Sequence, residues 1–331
     1  MGKLDKTFRE TFDLETYTAV RKEGRPWISR EERGIIAVSG AEAVQFLNGM
    51  ITNDIAKLEE GTAMLAAFPN QKGRLIAVTR VSNEEGDFIF ETEDSTYETV
   101  LANLERFTLA GDFKVEDLTG RSKIVSIRGE SSADVVEKVL GGKPEKDCDV
   151  TVYDFRGRPV TCLPSVRTRG LDLRVTSEEA DDLAEELINA GAVEPKGPLA
   201  EVLRIESGIP KFGIDMDGET VVPEIGLEGL ISYQKGCYIG QEVIARIHFR
   251  GKVAKELKGL VFNAPEALVN TGDELLSQEG KNAGVVTSKA YSPKLEKHIA
   301  MAYVRSAFAE NGTELRIGHQ TCRVSDLPFI A

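Results

Sequence analysis

The residues of this chain best equipped for chemistry lie in the octet Lys235–Glu242, KGCYIGQE. A thiol, Cys237, stands between Gly236 and Gly240, with the amine of Lys235 just before it and Gln241 and Glu242 just after. Val243, Ile244 and Ile247 follow at helical spacing, so the octet predicts a glycine turn that enters a helix over 241–247. A thiol near a helix N-terminus and beside a lysine ionises readily, which suits a nucleophile, a transient acceptor of sulfur or of a one-carbon group, or a redox-responsive thiol. The glycines allow a sharp turn and a close approach to a ligand. The competing assignment is a small buried apolar residue in a turn. No histidine is placed to be named as its base, since His248 lies beyond the predicted helix.

A second acid stands upstream in PLAEVLRIESGIP. Leu199, Val202, Leu203 and Glu206 share one face of a helix that Pro198 starts and Gly208 and Pro210 end, so a carboxylate continues an apolar stripe. Buried charge must be paired or liganded. Arg204 points the wrong way to pair with it, and a ligand contact is the preferred role for Glu206. DMDGE, from Asp215, resembles part of a calcium loop, but its glycine comes too early and no glutamate closes it. Asp215 is then read by default as an ordinary turn aspartate.

These groups need a scaffold, and 331 residues suffice for two or three domains with their own cores. Hydrophobic residues at 41% and charged residues at 29% are ordinary for a globular protein, and no apolar run approaches the ~18 residues of a membrane span. The N-terminal stretch mixes acids and bases without an apolar core, so the expected location is the cytoplasm. A net charge of −13 argues against nucleic acid or an anionic membrane as partner. Locally the sign reverses: Arg246, His248, Arg250, Lys252, Lys255 and Lys258 meet one acid, Glu256, and form either a receiver for an anionic ligand tail or a solvated surface. Four cysteines without CxxC and three histidines imply no metal site, no self-contained iron–sulfur cluster and no disulfide.

A strand followed by a helix recurs three times, at GIIAV/AEAVQFLNG, KIVSIRG/SSADVVEKVLGG and LDLRV/TSEEADDLAEELINAG. Gly49 is read as the end of the first helix. Ser131 with Asp134 and Thr176 with Glu179 are read as capping boxes for the others, and Gly191 as the stop of the third. The pattern indicates an α+β body with sheets covered on one side and a hint of internal duplication. Strands also fill 64–92, and a helix is expected over Ser95–Arg106 with Val100, Leu101 and Leu104 inward. From Lys252 onward, short alternating strands separated by turns predict a small antiparallel barrel, giving domains at 1–251 and 252–331. No glycine-rich dinucleotide or phosphate loop is present in the sequence.

LRIESGIPKFGID, then Pro223 and Glu224, then ISYQKGCYIGQEVIARIHFRGK resemble the YgfZ-type folate-binding proteins, relatives of the aminomethyltransferase (T-protein) of the glycine cleavage system. VSGAEAVQFLNGMITNDI and GVVTSKAYSPKLEKHIAMAYV extend the resemblance over nearly the whole chain. It implies a T-protein-like multi-domain folate-binding α+β body with a small C-terminal antiparallel β-barrel, and tetrahydrofolate or a one-carbon derivative as cofactor. Glu206 would accept two hydrogen bonds from the pterin edge, and in GMITND Met50 would pack on the aminobenzoyl part with Asn53 or Asp54 as polar neighbours, against a core-packing account for Met50. Gln241 would assist in binding, and the tail would leave towards Arg246. Cys237 with Lys235 would be the working site. The implied function is support of iron–sulfur cluster assembly or repair in client enzymes, including tRNA-modifying ones; the alternative is a folate-dependent aminomethyltransferase or related one-carbon transferase. Two departures weaken the transferase: Ala77 stands where the family tends to have an acid, and ETEDSTYETV supplies only Asp94 or Glu93 near the place of the family's aspartate.

Overall fold

The computed structural model describes residues 12–106, 111–142, 149–165, 169–264 and 269–330. Cys148 and the first eleven residues lie outside the described residues. The chain divides into two compact units, one formed by Thr18–Glu194 with Leu227–Ala245, the other by Met1–Tyr17, Pro195–Gly226 and Arg246–Ala331. The barrel strands therefore share a unit with the Glu206 helix, which the expected boundary at 251/252 had placed in the body.

In the larger unit, β1 (Trp27–Ser29), β7 (Ser122–Arg128), β10 (Gly170–Thr176), β9 (Arg158–Pro164) and β8 (Thr151–Phe155) form one antiparallel sheet in that order. A second antiparallel sheet runs β3 (Ala63–Pro69), β4 (Leu75–Glu84), β5 (Asp87–Glu93), β2 (Arg33–Ser39), β6 (Lys114–Asp117). Side chains alternate between faces. On the second sheet, Ile36, Val38, Phe88 and Phe90 pack with helices Ala43–Met50 and Asp94–Glu105, through Leu47, Val100 and Leu104. The first sheet likewise packs Val125, Ile127 and Leu173 against helices Ser132–Leu140 and Ala180–Asn189. The opposite faces meet each other: Ile35 and Ile89 of one sheet touch Ile124 of the other. Each sheet is thus covered by helices on one face, as the three strand–helix repeats predict.

Charges also lie between the sheets. Arg80 on β4 bonds Glu91 on β5, Asp172 on β10 at 2.7 Å and the carbonyl of Pro164 at 2.9 Å. Asp172 further accepts from Arg128 at 2.7 Å and Ser126 at 2.5 Å, and Arg174 reaches Glu91 at 3.2 Å. Burial pushes the Asp172 carboxyl up, but Arg128, Arg80 and Arg33 outweigh it and hold the group far below the usual carboxylate range.

Local details differ from expectation at the helix ends. Gly49 stays inside its helix, which runs to Met50 and ends as Ile51 turns extended. Neither expected capping box forms: the Ser131 hydroxyl donates to the Gly24 carbonyl instead, and Glu179, not Thr176, precedes the third helix. The helix Pro198–Glu206 begins at Pro198 as expected.

In the other unit, β11 (Lys255–Phe262), β14 (Lys297–Arg305), β13 (Asn282–Ser292), β12 (Glu274–Leu276), β15 (Glu314–Ile317) and β16 (Gln320–Ser325) close into an antiparallel barrel filled by Leu260, Phe262, Val286, Ala302 and Val304. Its outer face at Leu257, Ile299, Met301 and Tyr303 packs on Ile205. Asp215, 1% exposed, joins the same unit: it accepts from Arg204 at 2.7 Å and from Thr287 and Ser288 at 2.6 Å each. It stands in the turn after Lys211, whose N–H its Oδ2 also accepts, and its buried side chain at the same time anchors the Pro198–Glu206 helix to the barrel.

Replacing Asp172 with Ala strands two buried guanidinium groups, so urea unfolding should show a loss of about 3–5 kcal/mol. A variant with unchanged stability would show that the inter-sheet charges are not mutually dependent.

Candidate functional site

The KGCYIGQE loop is fastened to GMITND. The Lys235 side chain, 8% exposed, donates to the backbone carbonyls of Ile51 at 2.9 Å and Asn53 at 2.5 Å, and its ammonium lies 5.1 Å from the Tyr238 ring centre. The Ile239 N–H donates to the Gly49 carbonyl, and the Ser232 N–H to that of Thr52. Thr52 returns the contact by donating its hydroxyl to the Leu230 carbonyl at 2.6 Å. Burial lowers the Lys235 pKa to about 8, opposed by the nearby charge of Asp54. The structure thus makes Lys235 a tether between two loops, where the sequence had proposed it as a partner of the thiol.

Gly240 has φ +79° and lies so close to the Asn70–Gly73 turn that a Cβ would meet the Asn70 carbonyl oxygen at 2.4 Å. The close approach expected of this glycine is therefore to the protein's own backbone. Cys237 is exposed ahead of the helix Gln241–Arg250, which extends beyond the predicted 241–247. The other described cysteines, Cys162 and Cys322, are buried, and burial pushes both thiols up to about 12.

Met50, 6% exposed, packs in the core with Leu47 and Phe68, so the packing account holds for it. Asn53 spends its amide hydrogens on the carbonyls of Leu65 at 2.7 Å and Gly229 at 2.8 Å, and its side-chain oxygen accepts from the Asp54 N–H. It holds the loop in shape. Gln241 donates to the Gly236 carbonyl at 3.2 Å, closing the turn around Cys237. Met50, Asn53, Lys235, Cys237 and Gln241 all belong to the larger unit, whereas Glu206 and Arg246 belong to the other. Arg246 is exposed on the Gln241–Arg250 helix, and the basic cluster after it begins on this helix, not on a strand.

Glu206 is fully buried, and its Oε1 accepts hydrogen bonds from Tyr17 at 2.7 Å and Ser292 at 2.5 Å. Tyr17 in turn accepts from the Lys294 N–H, and the Glu206 carbonyl accepts from the Ile330 N–H. Burial first, then the Glu206 charge, keeps Tyr17 protonated well above the ordinary tyrosine range. An acid engaged in this way pins the N-terminal helix Leu14–Arg21, the β13 end and the C-terminal strand exit, and offers no free edge on Oε1. Glu206 is thus engaged through Oε1 by the hydroxyls of its own unit.

The same unit holds a second buried acid that the sequence reading quoted only as part of a motif. Glu224, 5% exposed, follows Pro223 in the short helical turn Val222–Ile225 and accepts from the Val221 N–H at 3.2 Å. Its charge acts on Tyr303, whose hydroxyl is buried without a well-formed hydrogen bond and whose ring carries the Lys255 ammonium at 4.3 Å. The Tyr303 hydroxyl, beside Thr220 and under the charge of Glu224, is a further buried polar group of this unit. The Pro-Glu pair was the available signal, but nothing in the sequence brings Tyr303 to it. Among the described residues no group of three or more His, Cys, Asp or Glu is placed to hold a metal, and no helix is long and apolar enough to cross a membrane.

Two family models match the chain: the GCVT N-terminal domain over residues 28–235 and the glycine cleavage T-protein C-terminal barrel domain over residues 255–330. The mitochondrial aminomethyltransferase of Flaveria trinervia is 28% identical over 302 residues, covering 85% of this chain and 72% of that protein. That of Gallus gallus is 28% identical over 318 residues, covering 88% and 78%. The crystal structure of glycine cleavage system aminomethyltransferase T from Bartonella henselae shares the fold, with a TM-score of 0.83 at 21% identity over 96% of this chain and 89% of that one.

Glu206→Gln should keep an acceptor for Tyr17 and Ser292 and unfold near the native midpoint in urea. Glu206→Ala, which strands both hydroxyls, should lose about 2–4 kcal/mol. Equal losses from the two variants would contradict the pinning role. The Lys235 tether carries a pH signature. An unfolded lysine keeps its proton to its ordinary value of 10.5 while the folded one releases it at about 8, so between these values the unfolded chain binds more protons. The native chain should therefore gain stability relative to Lys235→Met as pH rises from about 8 to about 10.5, and a flat difference would refute the assignment.

Proposed function

Because the chain belongs to the glycine cleavage T-protein family, we propose that it is a tetrahydrofolate-binding protein of the YgfZ type that supports assembly or repair of iron–sulfur clusters in client enzymes, including tRNA-modifying ones. The observation that carries this reading is the exposed Cys237 thiol, presented on a loop that Lys235 and Ile239 hold to GMITND. A reactive group that must meet a macromolecular client needs exposure together with a fixed position, and this loop supplies both. The bound folate supplies a one-carbon carrier. Glu224 and Tyr303 are the residues proposed to hold its polar edge, in place of Glu206, Met50 and Asn53. Arg246 remains proposed for the anionic tail and the cytoplasm as the location. No resident metal, nucleic acid or membrane is assigned.

A second reading, a folate-dependent aminomethyltransferase, is favoured by the aminomethyltransferase relatives. Ala77, fully buried in the apolar core, speaks against it, because an acid there would have no place.

Incubation with tetrahydrofolate and an aminomethyl-lipoyl donor separates the two. Release of ammonia with formation of methylene-tetrahydrofolate would overturn the preferred reading. Its positive test is cellular: Cys237→Ala should abolish rescue of cluster-dependent enzyme activity while leaving tetrahydrofolate affinity unchanged, and Glu224→Gln should weaken that affinity about tenfold by calorimetry.

A further inference from the structure

A cavity of about 340 Å³ opens within the larger unit, lined in part by Asn53 of the loop that receives Lys235. It is lined by Asn53, Asp54, Lys57, Leu58, Glu59, Thr62, Ala63, Met64 and Ser232. Its volume suits a small organic molecule. Leu58, Ala63 and Met64 give it an apolar wall. Among its polar lining, the Asn53 amide is committed to Leu65 and Gly229 and the Thr62 hydroxyl gives its hydrogen to the Glu59 carbonyl, while the donors of Lys57 and Ser232 stand beside the acids Asp54 and Glu59. The Asp54 side chain, only 12% exposed, has Oδ1 against the Asn48 amide at 3.3 Å and Oδ2 3.6 Å from the Lys57 ammonium. That last contact is long, and Lys57 is 65% exposed, so the pair is weak and easily parted. Lys235, the other cation influenced by Asp54, is held away by the carbonyls of Ile51 and Asn53.

We propose that this cavity binds a small organic ammonium compound, a protonated amine with a short apolar group, whose nitrogen takes the place of the Lys57 ammonium at Asp54 while its apolar end lies along Leu58, Ala63 and Met64. A buried carboxylate whose cation is a loosely held surface side chain favours a ligand cation that also buries apolar area. An anionic ligand would meet both Asp54 and Glu59. The Cys237 thiol does not line the cavity.

The test uses 3-methylbutylamine with the full chain, followed by calorimetry and by amide chemical shifts of residues 53–64, with 3-methylbutanol as the uncharged control. Saturable binding with a Kd of about 1 mM or tighter is expected for the amine and at least about tenfold weaker binding for the alcohol. Lys57→Met, which removes the competing cation, should tighten amine binding several-fold, and Met64→Trp should block it by filling the cavity. Asp54→Asn should lose it, with circular dichroism confirming that the variant is folded. Absence of saturation, equal binding of amine and alcohol, or no tightening in Lys57→Met would overturn the proposal.

Discussion

The interaction on which the site depends is a lysine ammonium buried against backbone carbonyls. Lys235 meets the carbonyls of Ile51 and Asn53, which follow the end of the Ala43–Met50 helix and would otherwise lie beneath the octet without partners. Burial makes the ammonium ill-solvated and its pKa low, yet leaving those carbonyls unpaired in the interior would be worse by the free energy of a lost buried hydrogen bond, about 1–3 kcal/mol. The outcome is a loop held from beneath, with its thiol outward. Asn53 and Thr52 repeat the device with an amide and a hydroxyl, so GMITND and the segment before the octet are stitched by polar side chains onto backbone.

Buried charge is handled differently elsewhere in the chain. Between the two sheets, Arg80, Arg128 and Arg174 face Glu91 and Asp172, and the ion pairs between the sheets form only because strands distant in sequence meet. At Glu206 the carboxylate accepts from the hydroxyls of Tyr17 and Ser292. In both places the charge serves the fold. The polar groups with capacity to spare are others: the Tyr303 hydroxyl near Glu224, and the carboxylate of Asp54 at its cavity. The contrast separates structural acids from those available to a ligand better than residue type does.

Much of the architecture was legible in the sequence. Helical and alternating periodicities located the three strand–helix repeats, the Pro198–Glu206 helix and the barrel strands, because burial of one face imposes those periods directly. Helix ends were less legible. Gly49 could be read as a stop since glycine permits a left-handed turn, but permission is not requirement, and the helix continues through it to Met50. The Ser131 hydroxyl suits a cap locally, yet the carbonyl of Gly24 reaches it first.

The sequence by itself determined that a thiol sits between two glycines ahead of a helix and that an acid lies on an apolar helical face, since both follow from spacing along one element. What those groups touch was decided only in the tertiary structure. Lys235 is two residues from the thiol in sequence but bonded to a loop far earlier in the chain, and Glu206 finds its donors in Tyr17 and Ser292, near opposite ends of the chain. Hydrogen-bond partners are chosen by which segments meet in three dimensions, and that choice is set by the packing of sheets, helices and barrel, for which no short stretch of sequence carries the information.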